Sequence, residues 1–272
     1  RIKNRLYLLF IFCSFGMAMK AQDFSAYQKE NFTRNGNTIP YRILFPEHYD
    51  PHKAYPLIIF LHGSAQRGND NERQLIHGGE FFLKDSIRSK YPSIVIFPQC
   101  SLGSSWSYFN FAFDTARRRV DLLFTYQENP KKYALLVKQL ADSLVQAGLV
   151  ETSRIYIGGL SLGGFGTWDF IERYPGYFAA AFPICGGGDT SRAALIAGKT
   201  AVWIFHGGSD PLVSVQYARQ YYRSLNRVHA DVKYNEYPGV KHNSWVNAFK
   251  EPGLMEWLFS KHRDSNKTIT SR

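Results

Sequence analysis

Five short runs of the chain, residues 57–61, 94–97, 155–157, 179–185 and 202–205, are apolar almost without interruption. A strand apolar on both faces needs cover on both faces, which a parallel sheet sandwiched between helices supplies. Helical patterns lie between the runs. Tyr133, Leu136, Val137, Leu140 and Leu144 recur at three and four residues, with Asn129-Pro130 ahead of them and Gly148 beyond, so the start and stop signals agree with the periodicity. Further helices are expected after Gly163, from Ser214 to Arg227, and over residues 252–262. Asn35-Gly36 between two strand-like stretches marks a hairpin, which puts an antiparallel edge at the N-terminal side of the sheet. The last run, residues 232–237, carries Lys233, Asn235 and Glu236, as an edge strand would. The expectation is an α/β chain with a mostly parallel, doubly wound sheet of about eight strands.

The 272 residues are 44% hydrophobic, with no internal repeat and 3 cysteines. That composition excludes a disordered chain and a disulfide scaffold. Residues 1–21 hold Arg1, Lys3, Arg5 and Lys20, no acid, and a core of about ten apolar residues, the pattern of an export signal and too short for the roughly twenty of a membrane span. Cleavage is expected after Ala18 or Ala21. The remainder is read as one domain, 22–262, with a frayed tail at 263–272. The net charge of +11 falls to +8 when Arg1, Lys3 and Arg5 are removed, and to +7 when Lys20 goes too. No nucleic-acid motif stands behind it. The expected location is periplasmic or extracellular, with no stable membrane anchor once the signal is gone.

Gly159-Leu160-Ser161-Leu162-Gly163 follows the run at 155–157 directly and precedes a helical stretch. In that strand-turn-helix setting G-x-S-x-G is a nucleophile turn. The bend is so tight that positions two before and two after the serine must be small, and it lifts the hydroxyl above the carboxyl end of the sheet. There free amides at the helix start can hold an oxyanion. A serine needs a base to take its proton and an acid to orient that base. The run at 202–205 leads into His206-Gly207-Gly208-Ser209-Asp210, and the run at 232–237 into Pro238-Gly239-Val240-Lys241-His242. Asp210 and His242 thus occupy the acid and base positions. His206 and His62, each before a glycine, read as loop-shaping hydrogen-bonding residues. The oxyanion donors are expected to be the N–H groups of Leu162 and Ser64, with Gly63 letting the backbone approach the site. Among the aromatics, Trp106 and Trp245 are expected to line the substrate pocket. No metal-ligand spacing and no dinucleotide fingerprint appears, so neither metal nor cofactor is expected.

The runs Pro56 to Gly63, Gly158 to Gly164, Pro183 to Gly188, His206 to Asp210 and Gly239 to His242 resemble the α/β-hydrolase superfamily. More narrowly, they resemble secreted bacterial esterases of the predicted peptidase or phospholipase/carboxylesterase type, similar to feruloyl and acetyl-xylan esterases and to dienelactone-hydrolase-like proteins. The resemblance covers roughly residues 37–260. It implies an α/β-hydrolase fold and ester hydrolysis through Ser161, His242 and Asp210. An acylated carbohydrate or phenolic ester is the implied substrate, with a small-molecule or polysaccharide-linked ester as partner. A peptidase of the same fold and a non-catalytic binding module are the competing readings. The chain departs from the compact pattern between Gln99 and Lys131, where residues 100–114 are packed with aromatics. Cys100 and Cys185 follow strands about three spacings apart, roughly 14 Å, whereas a disulfide needs Cα atoms within about 7 Å. Two free thiols are expected.

Overall fold

The computed structural model describes residues 22–115 and 118–263. The export signal read at 1–21 lies outside them, as does the tail from 264 on. Arg263, assigned to that tail, is held: its N–H donates to Ser153 O and its guanidinium to Gly176 O.

Strands β1 (Gln28–Arg34) and β2 (Asn37–Leu44) form the expected hairpin. Asn35 and Gly36 both take positive φ, 50° and 72°, the turn whose twist matches that of the strands. Then follow β3 (Tyr55–Leu61), the short helices α1 (Gly79–Leu83) and α2 (Asp85–Arg88), β4 (Ile94–Pro98), β5 (Asn110–Asp114) and β6 (Arg119–Leu123). The chain continues through α3 (Lys132–Gln146), β7 (Val150–Leu160), α4 (Leu162–Arg173), β8 (Ala180–Ile184) and α5 (Ala193–Ile196). It closes with β9 (Ala201–Gly207), α6 (Val215–Arg227), β10 (Val232–Tyr237), α7 (Trp245–Ala248) and α8 (Leu254–Phe259).

Eight strands make one sheet in the order β1-β2-β4-β3-β7-β8-β9-β10. Only the β1–β2 and β2–β4 pairings are antiparallel. The doubly wound α/β reading therefore holds, with β10 at the edge as expected.

The double cover is visible in the side chains. In β3, Leu57, Ile59 and Leu61 enter one buried cluster with α3, α4 and α6, while Ile58 and Phe60 enter another with α1, α7 and α8. In β9, Val202 and Ile204 divide from Trp203 and Phe205 in the same way. This is the period-two alternation of a strand buried on both faces. Ser214 caps α6, accepting from Gln216 N. The last helix is shorter than the expected 252–262, running from Leu254 to Phe259. Gly253 precedes it, and beyond it the chain turns away to pair Arg263 with Ser153.

The aromatic stretch folds into something the sequence did not announce, a separate two-stranded ribbon of β5 and β6. Phe109 and Phe124 at its base pack edge-on against Phe165 of α4, and the Leu122 N–H donates to the Tyr217 hydroxyl of α6 at 2.7 Å. Among the described residues no helix is long and apolar enough to cross a membrane.

Candidate active site

Chain order reverses between β3 and β7, and the loops at their carboxyl ends face one another there, the usual position of a binding crevice in such a sheet. Ser161 sits in the turn from β7 to α4 with φ 54° and ψ −116°, a conformation an L-residue adopts only when its surroundings enforce it. Its N–H donates to Ile184 O and its carbonyl accepts from Phe165 N. The flanking glycines make the turn possible. A Cβ on Gly159 would fall 2.5 Å from Gly163 O, and one on Gly163 would fall 1.9 Å from Leu61 O.

His242, in the loop after β10, places Nε2 2.9 Å from Ser161 Oγ and Nδ1 2.7 Å from Asp210 Oδ2. The other carboxylate oxygen, Oδ1, accepts from the N–H groups of Leu212 and Val213 at 2.9 Å. A carboxylate only accepts, so Nδ1 carries the proton and Nε2 turns its lone pair toward the serine. Burial pushes the Asp210 carboxyl upward, but hydrogen bonds from His206, His242 and Val213 outweigh it and hold the group well below the usual carboxylate range. The loops that carry Asp210 and His242 are locked together. Ser209 N–H donates to Val240 O, and at Gly207 the backbones approach so closely that a Cβ would lie 2.2 Å from Lys241 O.

The loop after β3 is fixed with equal care. Cys100 N–H donates to His62 Nε2, so His62 Nδ1 carries the proton and donates to Gly63 O at 2.7 Å. Burial pushes the His62 imidazole down to about 4, which keeps it neutral and able to accept. Gly63 is buried, and Ser64 opens a single 3-10 turn. Leu162 opens α4. First-turn amides have no acceptor within their own helix, so both are available as donors to a bound group.

The two tryptophans differ. Trp106 does not line a pocket: it is fully buried, donates Nε1 to His62 O at 3.0 Å and packs against Gly166 of α4. It ties the His62 loop to α4. Trp245 does stand at the site, its ring perpendicular to that of His242 at 5.8 Å. On its other side it meets His77 at 4.8 Å, a contact no sequence pattern signals. His206, fully buried, directs Nε2 to Val213 O and lies 3.4 Å from Asp210 Oδ2, which fits its loop-shaping reading. Cys100 and Cys185 are free and buried.

A serine at a strand-to-helix turn, with an aspartate and a histidine from later strands of a mostly parallel sheet, is the arrangement of an α/β-hydrolase. The chain belongs to the phospholipase/carboxylesterase family, whose model matches residues 48–252. A thermostable esterase of known structure is 34% identical, with a TM-score of 0.78 over 88% of this chain and 64% of its own. Lysophospholipase-like protein 1 of Mus musculus is 24% identical over 213 residues, 75% of this chain and 86% of that protein. Poly(3-hydroxyalkanoate) depolymerase C of Paucimonas lemoignei is 43% identical over 54 residues, 20% of this chain and 13% of the depolymerase.

Proposed function

We propose that this chain is an exported serine hydrolase that cleaves carboxylic esters through an acyl-enzyme, acting on an acylated carbohydrate or a phenolic ester. The observation that carries the reading is His242, whose two ring nitrogens reach Ser161 Oγ and Asp210 Oδ2 at 2.9 and 2.7 Å. Ser161 Oγ attacks the ester carbonyl while His242 Nε2 takes its proton, and Asp210 stabilises the imidazolium. The carbonyl oxygen becomes an oxyanion held by the N–H groups of Leu162 and Ser64. The intermediate collapses, and the alcohol leaves with the proton from His242. Water then repeats the sequence on the acyl-Ser161 ester, releasing the acid and restoring the serine.

Export is supported by the basic start and apolar core of residues 1–21. The phenolic or carbohydrate preference is supported by the rings near the nucleophile turn: Trp245 beside His242, and Phe109 and Phe124 against Phe165. A panel of acetyl, feruloyl and longer acyl esters, with peptidyl anilides alongside, tests the reading. Turnover of esters above all anilides is expected. An anilide cleaved faster than any ester would point to a peptidase, and no turnover of either class would leave a binding module.

A further inference from the structure

A buried thiol lies directly against the Asp210–His242 pair. Cys185 follows β8 at φ 41°, its N–H donating to Phe205 O at 2.8 Å and its side chain fully buried. Its Sγ, a carboxylate oxygen of Asp210 and a ring nitrogen of His242 lie within 4.8 Å of one another. The buried side chain of Ser244 faces the sulfur.

We propose that Cys185, Asp210 and His242 form an inhibitory site for a thiophilic divalent cation of the zinc and cadmium class. Zinc binds sulfur at about 2.3 Å and nitrogen or oxygen at about 2.0–2.2 Å. Tetrahedral angles then separate ligand atoms by roughly 3.3–3.7 Å. A sulfur at the 4.8 Å limit would move inward by about 1 Å, and the 2.7 Å Asp210–His242 pair would open by less than that. Cys185 lies one residue past β8, and Asp210 and His242 lie in the loops after β9 and β10. Thiolate and imidazole select a borderline-soft cation over magnesium or calcium.

The charges also close. One thiolate, one carboxylate and a neutral imidazole carry two negative charges, so a divalent ion leaves a neutral complex and escapes the cost of an unpaired buried charge. A thiol must lose its proton to ligate, so binding releases one proton to solvent. Coordination at His242 Nδ1 displaces the proton there, which is taken up at Nε2, so the imidazole stays neutral. Nε2 then presents a hydrogen to Ser161 rather than a lone pair, and the serine proton has no acceptor. No linear spacing announces such a site, because its three ligands come from the ends of β8, β9 and β10.

Metal binding is read here by spectroscopy, so its failure and the failure of the esterase reading are distinguishable. The protein is titrated with cadmium in a background where Cys13 and Cys100 are alanine, leaving Cys185 as the sole thiol. Thiolate-to-cadmium absorption in the ultraviolet is followed, and zinc inhibition of p-nitrophenyl acetate turnover is measured in parallel. A band saturating at a single equivalent is expected, with inhibition that a chelator reverses. Cys185→Ala should keep metal-free turnover, lose the band, and need at least the roughly 10–100-fold more zinc that loss of even an outer-shell partner costs. Cys185→Ser serves if the alanine variant fails to fold. Absence of the band, or zinc inhibition undiminished in a folded Cys185 variant, overturns the proposal.

Discussion

Ser161 is held at φ 54°, a backbone state that costs an L-residue about 1–3 kcal/mol, and the reward is a hydroxyl standing clear of the sheet within reach of His242. Asp210 fixes which nitrogen of that histidine is free. In Asp210→Asn the amide donates to Nδ1, the proton moves to Nε2, and kcat should fall by roughly 10⁴-fold while the melting temperature stays close to that of the parent. A variant with unaltered kcat would remove Asp210 from the relay. Glu172 is a second buried carboxyl, accepting the Tyr221 hydroxyl at 2.6 Å. Burial pushes it up to about 8 from 4.5, with Asp169 and Asp189 adding to the effect against the Tyr221 bond. The folded state therefore binds this proton more tightly than the unfolded one, and stability drains away as pH rises from about 4.5 to about 8. Glu172→Gln keeps an acceptor for Tyr221 and removes the titration, so its melting temperature should exceed the parent's at about pH 9 and match it near pH 4. An equal difference at both values would contradict the assignment. Ser161, Asp210 and His242 were legible as residues because their order and their places after strands are dictated by the sheet. Trp106 was not, because whether a ring meets substrate or lies under a helix depends on the neighbours that cover it.

At the scale of elements, the turn from β7 into α4 is set by two glycines with no tolerance for a side chain. Gly163→Ala would thrust a methyl into Leu61 O, a backbone atom, at 1.9 Å. The loop after β3 is joined to the central sheet and cannot yield freely. A loss of about 1–3 kcal/mol or more, typical of overpacking, is expected in urea denaturation, together with loss of activity as Leu162 shifts. Unchanged stability would mean that α4 does not press on the His62 loop as described. The central strands and α3, α4 and α6 were readable because double burial and amphipathic periodicity leave distinct marks. The β5–β6 ribbon left no such mark. Its aromatic positions serve partly as a foot on Phe165 and partly as exposed surface, Phe111 at 71% and Phe113 at 64%, and a two-stranded ribbon with one apolar face reads in sequence like a long aromatic loop. The shortening of the final helix to Leu254–Phe259 was equally hidden, since it follows from where Arg263 docks.

Across the whole molecule, one sheet gathers residues far apart in the chain at a single edge. Ser64 comes from the end of β3, Ser161 and Leu162 from β7, Asp210 from β9 and His242 from β10. Helices cover both faces, and Trp168 stacked on Tyr221 at 3.6 Å ties α4 to α6. In the proposed mechanism that packing would keep Ser161, His242 and Asp210 within hydrogen-bonding distance through both halves of the reaction. The same convergence brings the Cys185 thiol to within 4.8 Å of ligand atoms of Asp210 and His242. The proposed chemistry stands or falls with Ser161 as the nucleophile of an ester hydrolase. Its most direct test is the hydrolysis of p-nitrophenyl acetate by purified wild type and Ser161→Ala, with folding of both checked by circular dichroism. The variant is expected to fall to the background rate with its fold intact. Turnover persisting unchanged in folded Ser161→Ala would contradict it.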